Sequence, residues 1–275
     1  MTLAATTRSE TTKQFTTALW WVLAIVLFVY VAFTAAVLGF VFTASATGSL
    51  PGDGPQLPAE GLPETLYSTA TAVGYVFPLL IGTLVVTSEF RHKILTPTFL
   101  ATPRRATVLW AKLAVAVLLG VLYGVIGILG SAGPAAAFLA GSGLDTELGS
   151  ADTWALFGRM LLAYVLWVFV GVGVGSLVRN QVGAIVGVLV FTQFLEPVAR
   201  AAASFVEGLT DVTKYLPGAA SDALVGASIF AAGMGASGSA AGDPLEWWAG
   251  GLVLLGYAAV FVVLGYLFSW RRDVS

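Results

Sequence analysis

The sequence predicts an all-helical integral membrane protein with six transmembrane helices. Of the 275 residues, 57% are apolar and only 10% are charged, whereas soluble domains carry about 25% charged residues. Six apolar stretches are each long enough to cross a bilayer, which takes roughly 20 residues. None shows the apolar–polar alternation of barrel strands, and backbone groups in lipid must pair internally, so helix is the expected conformation.

The predicted spans are residues 20–42, 66–88, 107–130, 154–176, 182–203 and 247–270, within a single transmembrane domain covering residues 1–275. Pro78, midway along the second span, predicts a kink. Arg8 and Lys13 precede the first span and an Ala-Ser-Ala segment follows it at 44–46, as in a secretory signal. Its apolar run exceeds the roughly 7–15 residues of a signal core, so we predict a retained helix.

The basic residues predict that both termini lie in the cytoplasm. With the N-terminus inside, cytoplasmic segments hold 10 of the 13 Lys and Arg residues, and 12 of the 15 acidic residues fall outside or in the outer leaflet. Cytoplasmic loops of membrane proteins carry an excess of Lys and Arg. We therefore expect a multi-pass protein of the cell (cytoplasmic) membrane.

Composition excludes several function classes. The chain has no Cys and a single His, His92, so thiol catalysis and thiolate metal sites are excluded and a His-based metal site is disfavoured. No Gly-x-x-x-x-Gly-Lys-Ser/Thr loop is present to cradle ATP phosphates. A net charge of −2 argues against a nucleic-acid partner. We predict no catalytic residue and no metal site in this chain.

The loop between the second and third spans, residues 89–106, is the most informative segment. With its flanking residues, from Ser88 to Leu113, it reads SEFRHKILTPTFLATPRRATVLWAKL. Basic residues are interleaved there among large apolar ones. A short helix with one apolar face on the bundle and a charged face outward fits this pattern. A simple positively charged anchor would account for the charges but not for the apolar residues.

At this loop the chain resembles the permease subunit of an ABC-2 type transporter. The run Glu89-Phe90-Arg91, followed by Thr96-Pro97 and later Arg104, resembles the family's E-[YF]-R…T…L-x-x-P-x-R loop. Two further patches carry the resemblance: GVGVGSLVRNQVGAIVGVLV at 171–190 with Glu196-Pro197 following, and YLPGAA at 215–220 in the long external loop 204–246. With the six-span layout, the likeness covers nearly the whole chain.

The resemblance implies a type V exporter-like fold in which two permease chains pair as a homo- or heterodimer. Each would sit on a separate ATPase subunit that binds ATP and Mg, and a hydrophobic or amphipathic substrate would leave the cell. It also implies an interfacial helix before Trp20. The residues that it assigns to coupling and ATPase contact are Glu89, Phe90, Arg91, Thr96, Pro97 and Arg104, with Arg179 in a second, smaller contact.

Glu89 is one of three acidic residues on the predicted cytoplasmic side. We hypothesise that it holds the loop by pairing with Arg91, Arg104 or Arg105, or by capping the short helix. The alternative is a solvated surface charge worth under about 1 kcal/mol.

Three charged residues lie well inside the predicted spans, namely Arg159 in the fourth and Glu196 and Arg200 in the fifth. Counted from the inner ends of their helices, Arg159 and Glu196 both lie roughly 24–25 Å up, in the outer third of the membrane. A lone Arg at mid-bilayer costs about 2.5–3.5 kcal/mol. We therefore predict an intramembrane polar pair of Arg159 and Glu196, with Arg200 as a second partner. We favour a structural salt bridge over a lining of the external gate.

Glycines recur at G-x-x-x-G spacing in three spans: Gly120/Gly124, Gly171/Gly175 and Gly183/Gly187. This spacing permits close helix approach, and we expect packing within the bundle.

Two rival function classes stay open beside the exporter subunit, which would not itself be an enzyme. A proton-coupled secondary transporter would use Glu196 as its titrating group, although no inverted repeat is visible. An intramembrane enzyme or a passive scaffold is the third class, but spans without His, Cys or paired Asp offer little for catalysis.

Overall fold

The computed structural model describes residues 2–49, 58–94, 98, 104–178, 180–203, 205, 209–229 and 245–270. Regular secondary structure in these ranges is helical throughout. The helices are α1 (Leu3–Phe15), α2 (Leu19–Ala46), α3 (Leu62–Tyr67), α4 (Thr69–Gly74), α5 (Val76–Arg91), α6 (Arg105–Gly141), α7 (Ala151–Leu177), α8 (Gln181–Val190), α9 (Glu196–Ala203), α10 (Thr210–Thr213), α11 (Pro217–Val225) and α12 (Trp247–Gly265). A π-helical turn at Phe191–Leu195 joins α8 to α9, and another at Tyr266–Trp270 follows α12.

In the described part of the chain, six helical segments are long and apolar enough to cross a membrane. These are spans 1 to 6: Leu19–Ala46, Leu62–Arg91, Arg105–Gly141, Ala151–Leu177, Gln181–Ala203 and Trp247–Phe268. Span 2 comprises α3, α4 and α5, and span 5 comprises α8, the π-helical turn and α9. Each span overlaps one predicted stretch, which confirms the all-helical, multi-pass architecture.

Span 2 lies at the centre of the bundle and is almost entirely buried, whereas spans 1, 5 and 6 are mostly exposed. Span 2 packs on span 4, which also contacts spans 3 and 6, and span 1 packs on span 3. The core between them is built from large side chains such as Tyr67, Ile81, Tyr164 and Trp167. The outer spans turn apolar surface outward, as helices that face lipid do.

Glycines bring spans 2 and 4 into backbone contact. A Cβ at Gly82 would collide with the carbonyl oxygen of Val168, and a Cβ at Gly171 would collide with that of Leu79. Gly175 likewise faces the backbone of span 2. Only hydrogen fits at these positions, so the two helices approach as closely as their backbones allow.

The three predicted glycine pairs therefore differ in role. Gly171/Gly175 pack on span 2, and Gly120/Gly124 of span 3 pack on span 4. The pair Gly183/Gly187 does not pack within the bundle: a Cβ at Gly187 would meet no other described atom within 4 Å, and one at Gly183 would meet only Asn180 in its own helix cap. This pair lies on the open surface of span 5.

Span 2 is interrupted rather than continuous. Regular helix stops at Ser68 and again at Tyr75. The second interruption lies just before Pro78, whose missing N–H leaves a carbonyl one turn earlier without its helical partner. The hydroxyl of Tyr164 donates to the carbonyl of Ala70 at 2.7 Å, so span 4 supports the interrupted segment. Near the kink predicted at Pro78, the helix is therefore distorted one turn earlier, at Tyr75, which keeps helical dihedral angles (φ −60°, ψ −21°).

The third span is longer than its predicted end near Gly130. α6 continues through Pro134 to Gly141, and its 37 residues correspond to roughly 56 Å at ~1.5 Å per residue. Phe138 in the extension packs against Phe40 of α2, with ring centroids 6.2 Å apart. Packing against α2 outweighs the helix-breaking tendency of the proline, and the helix is longer than a bilayer is thick.

Candidate functional site

The N-terminal helix α1 docks on the bundle through polar residues. Its buried side chains, Thr6, Glu10 and Gln14, recur every fourth residue and so share one face. This face packs on α6. The helix expected before Trp20 is therefore present, but its contact with the bundle is mainly polar.

Four charged side chains form an ion cluster where α1, α5 and α6 meet: Glu10, Lys13, Glu89 and Lys112. The Lys112 Nζ lies 2.6 Å from Glu10 Oε2 and 2.8 Å from Glu89 Oε2. The Lys13 Nζ lies 2.7 Å from Glu10 Oε1 and 3.2 Å from Glu89 Oε1. Each ammonium bridges both carboxylates, so the ion cluster is a closed ring with balanced charge.

Three of the four side chains in the ion cluster are buried. Lys112 is 1% exposed, and Glu10 and Glu89 are each 5% exposed; the Lys13 side chain is 36% exposed. Taking a charge out of water costs several kcal/mol, which only close opposite charges and hydrogen bonds offset. The ring therefore depends on all of its members, because loss of one leaves a buried charge without compensation.

The pKa values of the two α1 residues shift in opposite directions. Burial alone would raise the pKa of Glu10, but the ammonium groups of Lys112 and Lys13 outweigh burial and hold that pKa below its usual value. Burial would lower the pKa of Lys13, but the carboxylates of Glu89 and Glu10 raise it above its usual value. Both shifts favour the charged forms, so these residues stay ionised at neutral pH.

Glu89 lies in the last turn of α5, but its partners are not the arginines expected from the sequence. It pairs with Lys13 and Lys112, whereas Arg91 and Arg104 lie exposed on the surface. The physical reason is direction: the Glu89 side chain points inward to α1 and α6, whereas Arg91 and Arg104 lie on the exposed side. Phe90 beside it is half-buried against the core.

The structure brings the other predicted contact loop next to this one. Arg91 Nη1 donates to Gln181 Oε1 at 3.4 Å, which joins the end of α5 to the start of α8. Asn180 caps α8, since its Oδ1 accepts from the backbone N–H groups of Val182 and Gly183 at 3.0 and 3.2 Å. The predicted contact residues Thr96, Pro97 and Arg179 lie outside the described residues.

Thr98 is the one described residue inside the loop that reaches the ion cluster. Its Oγ1 accepts a hydrogen bond from Lys13 Nζ at 3.3 Å. The loop is therefore held at its start by Glu89, within its length by Thr98, and beyond its end by Lys112.

A second polar site, the Glu196 cavity, lies where spans 1, 2 and 5 meet α11. Glu196 is 2% exposed. Its Oε1 accepts hydrogen bonds from the backbone N–H groups of Gly218 at 2.5 Å and Ala219 at 3.2 Å. These amides belong to the first turn of α11, where free N–H groups and the helix dipole favour a negative charge. A Cβ at Gly218 would collide with the carboxylate, so glycine permits this approach.

Helix α11 also supplies an ion-pair partner of Arg200. Arg200 Nη2 lies 2.7 Å from Asp222 Oδ2, and the same oxygen accepts from Ser228 Oγ at 2.9 Å. Trp167 Nε1 of span 4 donates to Ser221 Oγ at 3.1 Å. These contacts tie the α11 segment of the predicted external loop to spans 4 and 5.

The predicted pair of Arg159 and Glu196 is wrong, although Glu196 and Arg200 do share one site. No ion pair joins the described Arg159 and Glu196 side chains; the Arg159 guanidinium lies beside Gly226 at the end of α11. Similar depth suggested contact, but span 5 packs mainly on span 2 rather than on span 4. The two residues therefore face different neighbours, and α11 provides the hydrogen-bond and ionic partners instead.

Sequence reasoning missed Glu10, Lys13, Lys112 and Asp222 as functional candidates. A signal existed for Glu10 and Lys112. Lys112 is a charge inside a predicted span, and Glu10 is among the few acidic residues near the same membrane edge. A buried charge needs an opposite partner, so pairing these two was open to the sequence argument. No comparable signal placed Asp222.

Within the described residues, no group of three or more His, Asp or Glu side chains is arranged to hold a metal ion. No protein-family model matches the chain, and a search of curated proteins finds no match.

Proposed function

We propose that the chain is the membrane-spanning permease subunit of an ATP-driven, ABC-2 type exporter. In this proposal a separate ATPase subunit binds ATP and Mg, and two permease chains pair in the cell membrane with their termini in the cytoplasm. The chain itself carries no enzymatic activity. The substrate is a hydrophobic or amphipathic molecule.

The observation that carries the proposal is the ion cluster. An ATPase that closes on nucleotide must push on a rigid part of the permease. Glu89 begins the loop 89–106, and Lys112 lies about two turns into α6, so the ion cluster fixes both ends of the loop to α1. Force on the loop then reaches spans 2 and 3 together instead of being absorbed where the loop begins and ends.

The surface around the loop supports the same function. Arg91, Lys93 and Arg104 are exposed there. The Arg91–Gln181 hydrogen bond makes the start of span 5 continuous with this basic surface. The described ends of the two segments that the resemblance assigns to ATPase contact therefore lie side by side, and exposed basic residues suit an acidic partner face.

The direct test is to purify the tagged chain gently from its native membrane and identify what accompanies it. A stoichiometric P-loop ATPase is the expected result. Recovery of the chain alone, after crosslinking in intact membranes, would contradict the proposal.

A sharper test replaces Glu89 in the reconstituted complex. Glu89→Gln removes one charge from the ion cluster, and we expect permease-dependent ATPase stimulation to fall severalfold per folded complex. The matched control is Glu60→Gln, since Glu60 is an exposed carboxylate at the opposite end of span 2. Equal stimulation by both variants would remove the coupling role from the ion cluster.

A proton-coupled secondary transporter is the second candidate function. It is favoured by one observation, the buried Glu196 carboxylate beside a cavity. Purified chain in liposomes would then move substrate under an imposed pH gradient without ATP, and Glu196→Gln would abolish that transport. ATP-dependent transport that ignores the gradient would decide against this candidate.

A further inference from the structure

We propose that the Glu196 cavity binds a protonated amine of the transported substrate, with the Glu196 carboxylate as hydrogen-bond acceptor and counter-charge. The inference names the chemical class of the substrate and so rests on the proposed transport function. It is carried by an unpaired carboxylate oxygen, the charge balance of the cavity, the backbone geometry of span 5 and the size of the space.

The first observation is the second oxygen of Glu196. Oε1 is held by two backbone amides of α11, but Oε2 is buried and has no hydrogen-bond partner among the described residues. A buried acceptor without a donor is costly, and native structures pair nearly all such atoms. Glu196 lines the cavity, so a donor bound there lies beside the carboxylate whose second oxygen is unpaired.

The second observation is the charge around the cavity. Its described lining includes the carboxylates of Glu196 and Asp222 and a single cation, Arg200. Arg200 is engaged by Asp222 at 2.7 Å. One negative charge is therefore left in the described lining, and a ligand that brings one positive charge makes it neutral.

The third observation is the π-helical turn at Phe191–Leu195, directly before Glu196. Single π-helical turns are rare and often occur at functional sites, because they release a backbone carbonyl and rotate the side chains that follow. Here the carbonyl of Thr192 accepts from the Tyr75 hydroxyl at 2.9 Å. Tyr75 itself packs against Trp167 of span 4, with ring centroids 4.6 Å apart and the rings tilted by 31°, so its hydroxyl is held beside span 5.

The fourth observation concerns size and surroundings. The cavity measures about 70 Å³, room for a small polar group but not for a whole amphipathic molecule. The partly exposed Tyr30 of span 1 lines one side, and an aromatic face attracts cations. Exposed apolar side chains such as Phe33 and Phe194 lie on the adjoining helices. The amine enters the cavity, and the apolar remainder of the substrate lies along these helices.

The test measures binding to the purified full-length chain in nanodiscs by equilibrium dialysis, with empty nanodiscs subtracted. The probes are 4-phenylbutylamine, its neutral counterpart 4-phenylbutanol, and the trimethylammonium analogue. The amine supplies both a charge and N–H donors, the alcohol lacks the charge, and the quaternary analogue lacks N–H donors. We expect saturable amine binding about tenfold or more tighter than that of either control, because the alcohol loses the attraction between opposite charges and the quaternary analogue loses the hydrogen bond.

A variant pair localises the site. Glu196→Gln is expected to bring amine affinity down to that of the alcohol, whereas Asp211→Asn, at a surface carboxylate of α10, leaves it unchanged. The comparison of three probes on the unmodified chain holds even if Glu196→Gln fails to fold. No saturable amine binding, or equal affinity for amine and alcohol, would overturn the proposal; a quaternary analogue that binds as tightly as the amine would also overturn it.

Binding is measured without an ATPase, so the two proposals fail separately. Amine binding by a chain that captures no ATPase would refute the exporter but keep the site. Capture of an ATPase by a chain that binds no amine would refute the site alone.

Discussion

The ion cluster and the Glu196 cavity are both buried and charged, but they differ in how completely their charges are paired. In the ion cluster, two carboxylates and two ammonium groups form a closed ring of ion pairs. Even Glu89 Oε2, which accepts no hydrogen bond, has the Lys112 ammonium 2.8 Å away. In the Glu196 cavity, one oxygen of the Glu196 carboxylate has neither a hydrogen bond nor an ion pair with a described residue, and the carboxylate lines an open space. Complete pairing suits a part that holds helices together, and incomplete pairing suits a part that binds.

The comparison shows that charge alone does not identify a binding site in a membrane protein. A charge buried in a bundle needs compensation, and the chain can provide it from its own side chains or leave it to a ligand. The ion cluster takes its compensation from three helices. The Glu196 cavity takes only part of it, from the first turn of α11.

The largest effect is expected from breaking the closed ring at its most buried member. Lys112→Met leaves the Glu10 and Glu89 carboxylates buried, with only the partly exposed Lys13 ammonium beside them. We therefore expect the free energy of unfolding to fall by about 3–5 kcal/mol. The measurement is a denaturant titration of purified chain in detergent micelles. Lys214→Met is the control, since the Lys214–Asp211 pair lies nearer the surface and is worth under about 1 kcal/mol. Equal losses in the two variants would mean that the ring contributes no special stability.

An intermediate effect is expected from making the same substitution in both sites. Glu89→Gln leaves an excess of buried positive charge, at a cost of about 1–3 kcal/mol. Glu196→Gln keeps an amide oxygen for the Gly218 and Ala219 donors, so we expect a loss below about 1 kcal/mol. Thermal unfolding of both variants beside the unmodified chain tests this order. If Glu196→Gln were the more damaging, the cavity would be a structural element and the contrast would fail.

The smallest effect concerns pH. Glu10 has a folded pKa below its usual 4.5, so its stabilisation is complete above that value and lost as pH falls through the lowered pKa. Lys13 has a folded pKa above its usual 10.5, so its contribution is complete below that value and lost only as pH rises through the raised pKa. The melting-temperature difference between the unmodified chain and Glu10→Gln should be flat from about pH 5 to 10 and shrink in acid. A change across neutral pH would contradict the assigned shifts.

Much of the fold can be predicted from the sequence, because a membrane-spanning helix is recognisable from its own residues. A run of apolar residues long enough to cross a bilayer can be recognised without information from the rest of the chain, and the distortion of the helix near Pro78 follows from the proline itself. The extension of α6 through Pro134 was not predictable in this way. It depends on packing between Phe138 and Phe40, residues from different helices.

The candidate sites were harder to predict from the sequence, because they too form between residues that are far apart in the chain. Glu10 and Lys112 are 102 positions apart in the chain, and no local pattern joins them. Depth counting placed Arg159 and Glu196 at one level but carried no information about which helices touch. The α11 segment appeared in the sequence only as an amphipathic part of a loop, and its amides and Asp222 became partners only once the chain was folded.

The glycine contacts between spans 2 and 4 have a mechanical consequence. Helices whose backbones touch cannot slide along each other without moving apart, so spans 2 and 4 act as one rigid unit. Span 5 packs mainly on one side of this unit and supplies Thr192, Gln193 and Glu196 to the cavity. A tilt of span 5 relative to spans 2 and 4 therefore changes the volume available to a ligand. Ligand binding in the cavity and the tilt of span 5 are then coupled.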